Sequence, residues 1–553
     1  MAEGGAAAAL GTVWPEDNWK VHFRDTMRGG KLLNNWRMAE LHAQEAPDRI
    51  YELEAWGALF DRTKDGRILQ RDFGGHRYAR LAHVGDRTGL ELIRTLQQRA
   101  VALGIEVFME CKILRLLKNG EGAVNGAVGY WRTTGEAVAF SAKAFVMATG
   151  GIGRSWKYTT NSWESTGDGH ALALWAGADL IDMECMQFHP TGMVWPLSVR
   201  GILVTEGVRG DGGVLRNSQG RRFMFDYIPP MFAAETAESE DEADRWYEDH
   251  ANNRRPPELL PRDEVARSIN AEVKAGRGSP HGGVLLDIAS RRSNEYIRRR
   301  LPSMYHQFKE LAGVDITSEP MEVGPTCHYI MGGVRVDAET TATTVPGLFA
   351  AGEVAGGLHG ANRLGGNSLS DLLVFGRRAG IGAADFAEGA TASSALDPAD
   401  VAAIIRGATT SLEREDGESP YEIQHDLQET MHNLVGIIRT ERELLEALDA
   451  LETLKDRTAK VAVSGGGVYN PGWNLATDLP AMLAVSSLVT RGALARRESR
   501  GGHTRDDYPG ADPGLGRVNL VQHLDSDGQY VLVAEPLPDM PAELAALLEE
   551  DPS

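Results

Sequence analysis

The sequence predicts an α/β layer followed by a helical domain, and three observations predict it. The stretch from Gly89 to Gly104 has helix-like apolar spacing. It is followed by "IEVFMECKILRLL", "GAVGYW", "AVAFS" and "KAFVMATGG", short β-rich runs separated by glycine turns, and a helix feeding such strands makes an α/β layer. Later, "DLQETMHNLVGIIRTERELLEALDALETLKDRTAKV" places Leu444, Leu448 and Leu451 on one helical face, a stripe that marks packing between helices.

Taken in order, the elements begin with "MAEGGAAAALGTV", which reads as a glycine turn at Gly4-Gly5 feeding a helix, with no strand before it. From Pro229 to Pro261 the composition becomes acidic and Pro-punctuated, "AAETAESEDEADRWYEDHANNRRPPELLP", and a solvated insertion is expected there. "EGATASSALDPAD" reads as a linker near residue 400. From about Glu535 the chain turns Pro-, Ala- and Glu-rich, and a weakly ordered tail is expected. At 553 residues the chain exceeds what one hydrophobic core organises, so two to four domains are expected.

Composition narrows the function. With 42% hydrophobic and 24% charged residues this is an ordinary globular composition. Fifty-seven basic residues against 78 acidic ones leave a net charge of −21, which repels phosphate backbones and anionic lipid, so no nucleic-acid partner is expected. No apolar run reaches the roughly eighteen residues of a membrane span, and the first residues lack a secretory signature, so a cytoplasmic location is expected. Cys111, Cys185 and Cys327 lie far apart with no CxxC pair, which encodes neither a disulfide framework nor a metal or iron–sulfur cradle.

Chemistry concentrates between residues 149 and 371. Thr149-Gly150-Gly151 ends a buried-strand run; glycines there admit a flat or phosphorylated ligand, and a tight turn explains them equally well. Asp168, between two glycines at the start of an alanine-rich helix, accepts hydrogen bonds from a ligand or caps the helix. "MQFHPTGM", "ILVTEGVRGDGG" and "PTCHYIMGGV" contribute His189, Thr205, Glu206, Arg209 and His328, residue types that bind carboxylates but also occur as satisfied core groups. The densest stretch is "GLFAAGEVAGGLHGANRLGGNSLSDLLVFGRRAG". It sets Glu353 at a strand end, Arg363 in a glycine-laced loop, and Asn367-Ser368 at a helix N-terminus with free N–H groups. These suit a ribitol hydroxyl, a substrate carboxylate and an electron-rich flavin edge respectively.

With these residues in view, the chain resembles the flavoprotein subunit of succinate dehydrogenase and fumarate reductase. The ordered motifs are "DFGG", "DRTGLELIRTL", "ATGG", "TGDG", "QFHPTG", "VTEGVRGDGG", "PRDEVARSI", "TCHYIMGGV", "HGANRLGGNSLSDLLVFGRRAG", "LLEALDALETLK" and "RRESRGGHTRDDYP". The resemblance implies a two-dinucleotide-type FAD-binding domain with an inserted α+β capping domain, then a helical domain and a C-terminal segment. The implied limits are 1–182 and 327–392 for the FAD domain, 183–326 for the capping domain, 393–499 for the helical domain and 500–553 for the last segment. It implies a dicarboxylate site of His189, Thr205, His328 and Arg363, proton transfer by Arg262 with Glu206 and Arg209 as relay, and no metal site. For FAD it implies Gly4, Gly5, Thr149, Gly150, Gly151, Asp168, Glu353, Ser368 and Leu369.

The same resemblance implies succinate and fumarate as substrates and a partner iron–sulfur subunit, with a membrane anchor subunit reached through it. The chain would then lie peripheral to the inner face of the cell membrane. Two alternatives remain. L-Aspartate oxidase shares most motifs but carries a loop like ANRLASNSL where this chain has "ANRLGGNSL". The other is a flavin-less scaffold remnant, against which the intact substrate and proton-transfer positions speak. Relatives carry a strand–turn–helix with GxGxxG ahead of the AxGG turn, and no GxGxxG occurs in this chain. The expectation is therefore that Met1 is internal, that the FAD domain is N-terminally truncated, and that the chain as numbered is poorly soluble and colourless.

Overall fold

The alanine run near the N-terminus is a strand, not the expected helix. In the computed structural model, which describes residues 3–250, 252–390 and 395–549, Gly5 takes φ +134°, where a Cβ would lie 2.9 Å from the Ala82 carbonyl oxygen. The turn leads into β1 (Ala6–Ala7). Helix is pre-empted because the backbone donors are taken by distant partners: Ala7 N–H donates to Gly366 O (3.1 Å) and Ala8 N–H to Arg80 O (3.0 Å). The first helix, α1 (Trp19–Gly29), starts after Asn18, whose side chain accepts from the Lys20 N–H at 3.0 Å. Then come α2 (Trp36–Ala55), β2 (Gln70–Arg71) and β3 (Leu81–Ala82), with β3 pairing antiparallel to both β1 and β2.

After α3 (Thr88–Ala102), the β-rich run expected from Ile105 becomes a strand only at Cys111. Residues 105–110 have no ladder partner among the described residues, and all of 101–110 are exposed. β4 (Cys111–Lys118), β5 (Val124–Trp131) and β6 (Ala137–Ser141) form an antiparallel sheet. β7 (Phe145–Met147) and α4 (Asp168–Ala176) follow.

β8 (Leu180–Ile181) stays with the first core, and a second core forms around β9 (Met186–Met193), α5 (Gly207–Gly210), β10 (Val214–Arg216), α6 (Glu240–Trp246), α7 (Arg262–Lys274), β11 (Val284–Asp287), α8 (Asn294–Arg300), α9 (Pro302–Ala312) and β12 (Met321–Ile330). Its sheet runs β10-β11-β12-β9, all antiparallel, and its own apolar cluster includes Val204, Phe223, Val265, Ile269 and Phe308. The acidic stretch is only partly the solvated insertion expected. Residues 238–241 are exposed, but Ala237, Glu258, Leu259 and Leu260 are buried. Glu258 can be buried because Arg222 meets it through two hydrogen bonds of 2.7 and 2.8 Å.

The remaining elements are β13 (Gly333–Val334), β14 (Leu348–Ala350), α10 (Asn367–Gly389), α11 (Pro398–Glu413), α12 (Pro420–Leu434), α13 (Glu441–Thr458), α14 (Pro471–Ala495), β15 (Val518–Leu524), β16 (Tyr530–Pro536) and α15 (Ala542–Glu549). β14 pairs parallel with β7, and these two make the whole of that sheet among the described residues. Residues 391–394 of the expected linker lie outside the described residues. In α13 the stripe is Leu444, Ala447, Leu451 and Leu454, with Leu448 half-buried. The tail from Glu535 is not loose: β16 completes the order β13-β8-β15-β16, and Leu548 O at the end of α15 accepts from Arg28 Nη2 at 2.8 Å. No helix among the described residues is long and apolar enough to cross a membrane.

Candidate active site

Five segments converge: β9, the turn into α5, the start of α7, the end of β12 and the loop before α10. A strand's period of two puts Gln187 and His189 of β9 on one face. The fully buried Gln187 donates through Nε2 to Asn362 Oδ1 (2.9 Å) and Arg363 O (2.7 Å). Its Oε1 accepts from Arg363 Nη2 (3.0 Å) and Arg262 Nη1 (3.4 Å). Arg262, first residue of α7 after Pro261, donates from Nε to Glu206 Oε2 at 2.8 Å. Glu206 Oε1 accepts from the Gly74 N–H at 2.9 Å, and Arg209 Nη2 lies 3.9 Å from Glu206 Oε2. Two glycines permit this closeness. A Cβ on Gly74 would meet Glu206 Oε1 at 2.8 Å, and one on Gly365 would meet Phe73 at 2.4 Å and Arg262 Nη2 at 3.2 Å.

The cluster holds three guanidinia against one carboxylate. Burial raises the Glu206 carboxyl, but Arg262 and Arg209 outweigh it and hold the group below its ordinary range. Burial, with Arg262 beside it, lowers Arg363 to about 10, which leaves it charged at neutral pH. The rings of His189 and His328 are 5.1 Å apart; burial and the neighbouring arginines push both well below their usual pKa, so both are neutral. His328 Nδ1 is 2.6 Å from Thr160 Oγ1. Thr205 follows Val204, which is tied to Thr191 by hydrogen bonds of 2.9 and 2.8 Å, so the 204–206 turn lies beside the His189 strand end. The excess positive charge suits an anion with more than one carboxylate.

On the adjoining side, Glu353 is half-buried after β14, accepts from the Ile330 N–H at 3.1 Å, and is raised by desolvation to about 7. A Cβ on Gly151 would lie 2.1 Å from its Oε1. Gly150 has φ +74°, and a Cβ there would have nothing within 4 Å, so its backbone borders open space. Gly167 N–H donates to Gly151 O at 3.2 Å, which brings Asp168 to the same edge; Asp168 Oδ1 accepts from its neighbour Gly169 N–H at 2.9 Å. Burial and Asp478 raise the Asp168 carboxyl, with Lys112 opposing. A Cβ on Gly4 would meet Phe73 Cζ at 2.5 Å, and one on Gly366 would lie 3.1 Å from Gly5 O. The turn at Gly4-Gly5 therefore abuts Phe73 and the start of α10, where Ser368 Oγ accepts from Arg363 Nη1 at 2.9 Å and the Leu369 N–H donates to Gly366 O at 3.2 Å.

Bare glycine backbone, a half-buried carboxylate and a helix N-terminus fit the polyol and ring of a flavin. Glu353 would hold the ribitol hydroxyls, with the 149–151 backbone, Gly4-Gly5, Asp168 and the Ser368-Leu369 turn around them.

Reading charged residues in the sequence misses Gln187, which joins both arginines, and Asn362, which bridges it to Asp263 Oδ1 at 3.1 Å. The signal was present: Gln187 stands two residues before His189 in "QFHPTG".

Fold and site together define a flavin-dependent oxidoreductase with a buried cluster of cationic groups. An FAD binding domain model matches residues 1–369, and a fumarate reductase flavoprotein C-terminal model matches residues 424–532. The chain is 46% identical to a fumarate reductase (CoM/CoB) subunit of Methanothermobacter marburgensis over 94% of its own length and 89% of that protein. It is 35% identical to the succinate dehydrogenase flavoprotein subunit of Coxiella burnetii, covering 94% and 86%. The structure of Mycobacterium smegmatis Sdh1 in complex with UQ1 superposes with a TM-score of 0.83 at 59% identity, over 98% of this chain and 88% of that one. The chain belongs to the FAD-dependent flavoprotein subunits of succinate dehydrogenases and fumarate reductases.

Proposed function

We propose that this chain interconverts succinate and fumarate. The observation that supports this most is the pair of guanidinia, Arg262 and Arg363, meeting at Gln187 Oε1 beside neutral His189 and His328. A four-carbon dicarboxylate needs two separated polar clamps. Arg363 takes one carboxylate, and Thr205 with the two imidazoles takes the other. FAD, when bound, supplies the acceptor for the hydride that leaves one carbon, at its N5 position. Arg262 serves the proton on the adjacent carbon. A guanidinium is a poor acid or base alone, so as Arg262 takes the proton from that carbon it passes its own Nε proton to Glu206, 2.8 Å away, which Arg262 and Arg209 hold ionised and able to accept it; fumarate reduction runs the same transfer in reverse.

In this reading residues 183–326 act as the capping domain over a flavin held by 1–182 and 327–392, with 393–499 helical and 500–553 closing the chain. In the same reading electrons leave to an iron–sulfur subunit. From there they reach a membrane anchor and a quinone, which seats the chain at the inner face of the cell membrane. Flavin-loaded Arg262→Ala is expected to lose turnover by about 10²–10⁴-fold while keeping flavin content and dicarboxylate affinity. Arg363→Ala is expected to weaken fumarate and succinate binding by about 2–5 kcal/mol. Parent-level turnover in Arg262→Ala would remove the proton-transfer role.

A further inference from the structure

Arg363 differs from the other two guanidinia of the site. Arg262 and Arg209 both pair with Glu206, whereas Arg363 forms no ion pair among the described residues. Its Nη atoms donate to the neutral oxygens of Gln187 and Ser368, and its Nε has no hydrogen-bond partner. A buried, fully charged guanidinium without a counter-ion needs another source of stabilisation. The structure supplies one: the ring of Tyr329, whose centroid lies 4.2 Å from Arg363 Cζ. The ring is held at its hydroxyl and by an edge-on neighbour. The Tyr329 hydroxyl is 3.3 Å from His359 Nε2, the two rings meet edge-on at 5.4 Å and 76°, and His359 Nε2 is 3.4 Å from Asp371 Oδ2 on α10.

We propose that Tyr329 is a positioning residue for substrate: its ring face holds the Arg363 guanidinium in place of a counter-ion, so that the charge stays available to a dicarboxylate. The geometry makes the distinction matter. A carboxylate partner would occupy the in-plane N–H donors that a substrate carboxylate needs, and would have to be displaced. An aromatic face attracts the cation through its quadrupole and takes none of those donors, so that Nε has no partner and the Nη atoms meet only the neutral oxygens of Gln187 and Ser368. His359, backed by Asp371, sets the ring's orientation through the hydroxyl and the edge-on ring contact. This inference rests on the reading of Arg363 as the dicarboxylate clamp.

The test uses the full-length, flavin-loaded chain, with calorimetric binding of malonate, a dicarboxylate that cannot be oxidised to an alkene, beside KM and kcat for fumarate. Tyr329→Phe, which keeps the ring, is expected to hold malonate Kd and fumarate KM within about twofold of the parent. Tyr329→Leu is expected to raise both about five- to tenfold with kcat and flavin content little changed. In the Arg363→Ala background Tyr329→Leu is expected to add nothing, because the two residues act as one unit. Should Tyr329→Leu fail to fold, progressively fluorinated phenylalanines at position 329 keep the shape and weaken the quadrupole, and affinity is expected to fall along the series. A flat series with Arg363→Ala still weakening malonate overturns the role of Tyr329 alone. Unchanged malonate affinity in Arg363→Ala overturns the clamp reading itself, and this inference with it.

Discussion

Glu353 carries a consequence that pH exposes. Its carboxyl titrates near 4.5 when unfolded and near 7 when buried beside Gly151, because burial disfavours the charged form more than the Ile330 N–H favours it. Between those values the folded chain binds more protons than the unfolded one, so this group's contribution to stability is full at low pH and is lost as pH rises through about 7. The stability difference between the parent and Glu353→Gln, from urea unfolding, is expected to shift against the parent by about 3 kcal/mol from pH 4.5 to 7.5. A pH-independent difference would mean the carboxyl is not held protonated. Glu353 and Arg363 stand out in the sequence because each sits in one glycine-rich stretch, whereas Arg262 of "LPRDEVARS" is singled out only by the family resemblance. Gln187 and Tyr329 do not stand out, because a neutral amide and a ring reveal their part only when the fold brings a guanidinium against them.

At the scale of elements, the connection between β8 and β9 is fixed by one side chain from beyond the end of α14. Arg496, fully buried, donates to Asp182 Oδ1 at 2.9 Å, Glu184 Oε1 and Glu498 Oε1 at 3.2 Å. Arg496→Ala leaves buried Glu184 without its guanidinium and Asp182 with only the neutral donors of Leu520 and Asn519, while Glu498 keeps Arg500, and is expected to cost about 3–5 kcal/mol, read as a lowered urea midpoint. A loss below about 1 kcal/mol would show that water replaces the arginine. Long periodic elements such as α3 and α13 were legible from spacing alone. The alanine run at Ala6–Ala7 was not, because Gly366 and Arg80 claim its N–H groups. Nor was the tail, whose helix α15 depends on docking to α1 through Arg28.

Across the whole molecule, two cores are tied by a strut. Arg267 of α7 donates from Nη1 to Gly501 O and Thr504 Oγ1, both at 3.1 Å, and so links the helix that carries Arg262 to the C-terminal segment. The fold class was legible at this scale because helices and strands are locally patterned; such cross-links were not, since they join residues more than two hundred positions apart. A different property follows from β7. Its one ladder partner among the described residues is β14, Val146 on it is 44% exposed, and the uncovered run 101–110 includes Val107, Phe108 and Met109. A sheet edge and an exposed apolar run each favour the addition of another chain. The protein's behaviour in a tube is thereby set by how crowded the tube is. Sedimentation velocity is expected to show a particle mass that climbs with loading concentration, and Val146→Lys, a gatekeeper charge on the open rim, is expected to flatten that climb. A mass independent of loading in the parent would mean that the rim is inert, and dilution would then preserve nothing that concentration destroys.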